Sequence, residues 1–412
     1  FASYYHWREA VGPYRERIPM INYCWGGIHA NHVGTHEVVD FCRRVNAEPL
    51  MVVNMESDGR MHWAYPKNGE DRFGTADEAA AWVAYCNDPD NALRLSHGVR
   101  EPYNIRYWQV GNETSYDARG YDGEACIAAT ERFVKSMRGV DPNLTLIGWG
   151  DKSKMDDGWC RRMSAMEGID LIAFHHHFGS GLPDSPLHGT AYRDNTERTW
   201  EHLMNAHRSM DTHIRKMRED CGEKRLAMTE GHFTLPGRSR CEVLSSWGAG
   251  VAYARCHNVI MRHSDVLDIA TMADFFGTAW QVNAILIPNN VPGRQPYLQP
   301  VGEVMRLFGS AQALEVSCDD SAVDVTASKT GNTVYLHLAN TDMNAPRALT
   351  LEGLHVASAQ MRYIAARPET EITADNMDCF AEQSCAVEGQ TLTLPAAAVA
   401  VVEITPGACV QA

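Results

Sequence analysis

The amino-acid sequence predicts an α/β protein: a (β/α)8 TIM barrel followed by a C-terminal antiparallel β-sandwich. Three observations carry that reading. From residue 36 to about 310, short apolar segments alternate with amphipathic helical stripes. Those segments are mostly apolar at successive positions, as strands covered on both faces are. Beyond Leu307-Phe308-Gly309 the apolar pattern changes to alternation with polar residues, the mark of half-buried antiparallel strands.

Each element follows in order. Val38, Phe41, Cys42 and Val45 recur at helical spacing and predict a first helix, with a strand after it at residues 49–54. Ala79, Trp82, Val83 and Cys86 form the next stripe, behind a Thr75-x-x-Glu78 capping box. A strand at 105–110 precedes the stripe of Cys126, Ile127, Thr130, Phe133 and Met137, which Gly139 and Pro142 end. Strands at 144–149 and 169–174 come next, then a helical stripe through Trp200, Leu203, Met204, His207 and Ile214. A strand at 225–229, a stripe through Leu244, Trp247, Val251 and Cys256, and a strand at 266–272 complete the alternation. Six strands are counted where a closed barrel has eight. The sequence opens on Phe1-Ala2-Ser3-Tyr4, and the expectation is that the first two strand–helix units are missing before Phe1. They would belong to the full gene product or come from another chain.

In the last hundred residues, Val323/Val325, Val334/Leu336/Leu338, Leu392/Leu394 and Val399/Val401 alternate with polar residues. Lys329-Thr330-Gly331-Asn332 reads as a hairpin turn. This sandwich is expected to lack strands that a preceding segment would supply. The expected domains are a barrel over 1–310, incomplete at its N-terminal side, and a sandwich over 311–412.

Composition narrows the function. The 412 residues are 44% hydrophobic and 22% charged, with a formal net charge of −15. That charge argues against nucleic acid or an anionic membrane surface, because phosphate binding needs clustered Lys and Arg. No apolar run approaches the ~20 residues that span a bilayer. A neutral ligand suits the chain. The twelve cysteines include no CxxC pair, which argues against a zinc ribbon or redox motif. Cys42, Cys86, Cys126 and Cys256 fall on apolar helix faces, so free thiols and a reducing, cytoplasmic location are expected, with secretion as the alternative.

Two glutamates sit just past predicted strands: Glu113 in Tyr107-Trp108-Gln109-Val110-Gly111-Asn112-Glu113 and Glu230 in Leu226-Ala227-Met228-Thr229-Glu230. Active sites of (β/α)8 enzymes gather at the C-terminal ends of the strands. Paired carboxylates there are what glycosidic bond cleavage requires: one gives and takes a proton while the other attacks the sugar carbon. A solvated loop glutamate is the alternative for either alone, but coincidence does not readily explain both.

The run from Glu101 to Glu113, after Tyr85-Cys86-Asn87, resembles the acid/base segment of glycoside hydrolase family 51. Phe1-Ala2-Ser3-x-Tyr5-x-Trp7, Val11-Gly12-Pro13, Cys24-Trp25-Gly26-Gly27, Asn31-x-x-Gly34-Thr35-His36-Glu37, Ala47-Glu48-Pro49 and Val53-Asn54 match in family order. That family is dominated by retaining α-L-arabinofuranosidases. The resemblance implies Glu113 as general acid/base and Glu230 as nucleophile. It places Asn112 on the sugar 2-hydroxyl, and it aligns His175 with a strand-end histidine. His177 stands where the family usually has a tyrosine bonded to the nucleophile. Trp25 and Asn54 match positions lining the sugar site, with Trp25 placed to stack on a sugar face. The segment after the last barrel strand departs from the family pattern, yet Trp280 or Gln281 is expected to reach substrate. Trp63 and Tyr65, in the long loop at 56–73, are expected to wall the cleft.

Phe174-His175-His176-His177-Phe178-Gly179 invites a metal reading, but adjacent residues of a strand face opposite ways, so no metal is assigned. No cofactor is expected. The function expected is a retaining α-L-arabinofuranosidase acting on arabinose-containing oligo- or polysaccharide. The alternatives are an endo-β-glucanase or other furanosidase of the same family, or an inactive carbohydrate-binding paralogue. The partners considered are a second copy, or a second chain supplying the N-terminal barrel strands.

Overall fold

The computed structural model describes residues 4–22, 27–56, 72–116, 122–152, 158–179, 185–235, 242–278, 282–288, 293–309 and 312–407. Its elements run β1 (Met20–Ile21), β2 (Ile28–His29), α1 (Thr35–Arg44), β3 (Leu50–Val53), α2 (Ala76–Asn87), α3 (Ala92–Ser96), β4 (Tyr107–Val110) and α4 (Gly123–Val140). Next come β5 (Thr145–Trp149), α5 (Trp159–Ala165), β6 (Leu171–Gly179), α6 (Thr196–Leu203), α7 (Ala206–Asp220), β7 (Arg225–Leu235), α8 (Trp247–Arg262) and β8 (Leu267–Met272). Three short strands, β9 (Phe276–Gly277), β10 (Ile285–Leu286) and β11 (Tyr297–Leu298), lead to α9 (Pro300–Phe308). The C-terminal strands are β12 (Gln312–Leu314), β13 (Val323–Thr330), β14 (Thr333–Asn340), β15 (Arg347–Thr350), β16 (Val356–Ala365), β17 (Gln383–Ala386), β18 (Thr391–Leu394) and β19 (Ala398–Pro406).

The hydrogen-bonded order of the larger α/β sheet is β3-β4-β5-β6-β7-β8, identical to the sequence order, as a singly wound barrel requires. Register makes its first four strands parallel: Val53 lies opposite Val110, Val110 opposite Gly148, and Trp149 opposite Ala173. All six predicted strands are present. Two compact units emerge from the contacts, Phe1–Phe174 with Lys216–Ala227, and His175–Arg215 with Met228–Ala412.

In the first unit the helical stripes bury as their periodicity requires. Trp82, Val83 and Cys86 of α2 are buried, and so are Cys126, Thr130, Phe133 and Met137 of α4. Thr75 caps α2 by accepting from the Glu78 N–H at 3.1 Å. The other half of the expected capping box is absent, because the Glu78 carboxylate meets His6 Nδ1 at 2.8 Å instead. α1 is the exception to the burial pattern. Phe41 is 47% and Val45 55% exposed, although their spacing predicts a core face. Helical period reports that a face is meant to be covered, and does not say by what.

In the second unit the predicted stripe from Trp200 to Ile214 divides into two helices, α6 and α7, with a break after Leu203. β7 runs on to Leu235, well past the predicted end at Thr229, so Glu230 lies inside the strand rather than after it. β8 is half-exposed and not apolar on both faces as predicted, since it is an outer strand of its sheet. The C-terminal strands form an antiparallel sheet of order β12-β13-β14-β19-β16-β17 and a pair β15-β18. The β13–β14 hairpin closes with Thr330 opposite Thr333 around Gly331-Asn332, where the sequence places it. Val325, Leu336, Leu338, Met361, Leu392, Leu394, Val402 and Ile404 form one core in this sandwich. Asp324 of β13 ties α8 to the sandwich by accepting from Arg255 Nε (3.2 Å), Asn258 Nδ2 (2.8 Å) and Arg262 Nη2 (2.5 Å).

Candidate active site

Within the first unit the site is built on β4. Trp108 is fully buried, and its ring meets Trp82 of α2 edge-on at 5.3 Å. Alternation along the strand therefore turns Gln109 to the opposite face of the sheet. After Val110 the chain bends through two left-handed residues, Gly111 (φ 76°) and Glu113 (φ 48°). A non-glycine residue in that region costs roughly 1–2 kcal/mol, so the bend must be held from outside. It is. The Gly111 N–H donates to the Val53 carbonyl at 3.2 Å, and the Tyr116 N–H to the Glu113 carbonyl at 2.8 Å. Gln109 Nε2 donates to the Gly111 carbonyl at 2.9 Å.

Asn112 and Glu113 are both buried, each 8% exposed. The Asn112 amide nitrogen has no hydrogen-bond partner among the described residues. Asn54, directly after β3, is buried too, but its amide nitrogen is engaged, donating to the Arg72 carbonyl at 2.8 Å and the Tyr5 carbonyl at 3.4 Å. That nitrogen ties the end of β3 to Arg72, just before α2.

Within the second unit β6 and β7 bring His175, His177 and Glu230 to one place. Buried His175 sets Nε2 at 3.2 Å from Thr229 Oγ1 and Nδ1 at 3.6 Å from Glu230 Oε2. Thr229 is fixed in turn by Thr271 of β8, whose hydroxyl donates to the Thr229 carbonyl at 2.7 Å. The His177 ring lies 6.4 Å from that of His175 and nearly perpendicular to it. His176 faces the other way, with Nδ1 3.4 Å from His213 Nδ1. Adjacent histidines thus alternate faces, as an extended strand dictates. Trp25, Trp280 and Gln281 lie outside the described residues, as do Trp63 and Tyr65.

Residues 1–198 match the family described as the alpha-L-arabinofuranosidase 1 domain. Over that stretch the chain is similar to α-L-arabinofuranosidases. An intracellular exo-alpha-(1->5)-L-arabinofuranosidase from Acetivibrio thermocellus is 30% identical over 198 residues, 45% of this chain. The match spans 36% of that relative's length. Among solved structures, the GH51 arabinofuranosidase from Xanthomonas axonopodis pv. citri superposes with a TM-score of 0.76 at 21% identity, covering 98% of this chain and 85% of that one. The Thermotoga maritima alpha-L-arabinofuranosidase, solved as an arabinose complex, covers the same shares at 21% identity with a TM-score of 0.73. These likenesses establish the barrel-plus-sandwich fold.

Two neighbours of the candidate site were not predicted from sequence. One is Gln109, 0% exposed in an otherwise apolar strand. The signal was present: a polar side chain in a strand covered on both faces must find a partner or destabilise the fold. The other is Thr229, which no local pattern distinguishes from an ordinary strand threonine.

Proposed function

We propose that the protein is a retaining glycoside hydrolase that releases α-L-arabinofuranose from arabinose-containing oligo- or polysaccharide. The observation that carries this is the arabinofuranosidase-domain match over residues 1–198, which includes the Gly111-Asn112-Glu113 bend. In this reading Glu230 attacks the anomeric carbon while Glu113 protonates the leaving oxygen, giving a glycosyl-enzyme. Glu113 then takes a proton from water, which displaces Glu230 with net retention. His175 orients the Glu230 carboxylate, which lies at 3.6 Å from its Nδ1. Asn112 offers a sugar hydroxyl the buried amide donor that otherwise costs about 1–3 kcal/mol left unmade. His177, Trp25, Asn54, Trp280 and Gln281 complete the proposed sugar-binding set, and no cofactor is required.

The exposed Val45 at the end of α1 supports packing by a further polypeptide segment or a second copy of the chain. The nine described cysteines are all free thiols, which supports a reducing, cytoplasmic setting. Among the described residues no helix is long and apolar enough to cross a membrane.

The test is turnover of aryl glycosides, arabinofuranoside first, by the protein and by Glu230→Ala. The expected result is hydrolysis with retained configuration by NMR, and a fall in kcat of several orders of magnitude in the variant. A folded protein that cleaves no aryl glycoside, or a Glu230→Ala variant with unchanged kcat, overturns the proposal.

A further inference from the structure

We infer that Gln109 is a positioning residue for the acid/base Glu113, an inference that rests on the function proposed above. Gln109 is 0% exposed, on the face of β4 opposite Trp108. At Gly111 the chain leaves the β-ladder, so its carbonyl loses the acceptor role that a sheet would give it. The Gln109 amide nitrogen takes over that carbonyl at 2.9 Å. The amide orientation follows from chemistry: only the NH2 end can face a carbonyl oxygen attractively. The Gln109 Oε1 atom, in contrast, has no hydrogen-bond partner among the described residues. Burying an acceptor in this way is unfavourable, so the side chain is not retained for general packing, which an apolar residue of similar length would serve better.

What the amide secures is the pair of left-handed residues. Gly111 is pinned on its nitrogen side by the Val53 carbonyl and on its oxygen side by Gln109, and Glu113 follows two residues later at φ 48°. Freed of Gln109, the Gly111–Asn112 peptide gains room to rotate. A rotation there swings the Glu113 carboxyl, and general acid catalysis is sensitive to such displacement because the acid must lie within hydrogen-bond reach of the leaving oxygen.

The experiment compares the protein with Gln109→Met and Gln109→Glu on aryl α-L-arabinofuranosides of graded leaving-group acidity. Loss of a well-placed acid matters most when the leaving group is poor. Gln109→Met is expected to lower kcat/KM, which reports the glycosylation step, about 10- to 100-fold on the phenyl glycoside and less than about 3-fold on the 2,4-dinitrophenyl glycoside. Gln109→Glu presents a donor to the Gly111 carbonyl only when protonated, so its activity relative to the parent is expected to recover as pH falls. Equal losses on all leaving groups, or none, overturn the inference while leaving the proposed activity standing. If Gln109→Met does not fold, the pH-dependent recovery of Gln109→Glu decides alone, and a flat ratio overturns it. Absence of turnover by the parent protein overturns both readings.

Discussion

At Gly111 an added methyl group would stand 2.7 Å from Thr114 Cγ2 and 3.2 Å from Met55 Cβ, on a backbone with φ of 76°. Space and torsion both exclude a side chain there. Gly111→Ala is therefore expected to destabilise the protein by about 2–4 kcal/mol, combining left-handed strain with overpacking. Urea unfolding checks this through the denaturation midpoint, which should fall with little change in slope. A variant as stable as the parent would show that the bend is not fixed as described. The Gly-Asn-Glu tripeptide was legible in the sequence because its chemistry is concentrated in three adjacent residues. Gln109 was not, since its hydrogen bond depends on a bend that no pattern of one residue type encodes.

Among the elements, those buried by neighbours close in sequence were read correctly. α2 and α4 turn their predicted stripes inward, and the β13–β14 hairpin closes at Gly331-Asn332. The misreadings share one cause, which is tertiary context. The exposed stripe of α1 and the half-exposed β8 both belong to surfaces whose cover is not set by the element itself. The extension of β7 to Leu235 passes through Gly231, which propensity alone would take for a terminus. The union of α8 with the sandwich was also invisible, because Asp324 looks like one more alternating polar residue of a strand. Its side chain is only 7% exposed and carries two arginines and Asn258. Asp324→Ala would leave Arg255, itself 16% exposed, without its carboxylate. The expected cost is about 3 kcal/mol or more, against a smaller loss for Asp324→Asn, which keeps an acceptor for Asn258. Thermal unfolding of the two variants side by side tests the order, and equal melting temperatures would contradict it.

For the whole molecule, buried histidines make stability fall as the pH drops below the ordinary imidazole range. Burial and the Arg255 cation lower the His207 pKa from 6.5 to about 4. Geometry agrees. Arg255 Nη2 donates to His207 Nε2 at 3.1 Å, so the ring must donate from Nδ1 to the Met204 carbonyl at 2.8 Å and has no site for a second proton. Burial likewise lowers His337 to about 4, and its Nδ1 has no partner among the described residues to receive a new N–H. His257, whose ring lies 5.9 Å from that of His337, is lowered by burial and then by its neighbour. The sign follows from linkage. Above pH 6.5 these rings are neutral folded or unfolded and exert no pH dependence. Between pH 6.5 and about 4 the unfolded chain binds protons that the fold refuses, so stability falls with pH by up to about 1.4 kcal/mol per unit for each ring. Below pH 4 their contribution levels off. Urea unfolding at pH 7 and pH 5 should therefore show a loss of at least about 2 kcal/mol. In His337→Gln, which cannot take up a proton in either state, the loss over the same interval should be smaller. An unchanged slope in that variant would mean that His337 is protonated in the folded protein after all, with its Nδ1–H satisfied by a group or water that reaches it from outside the described residues.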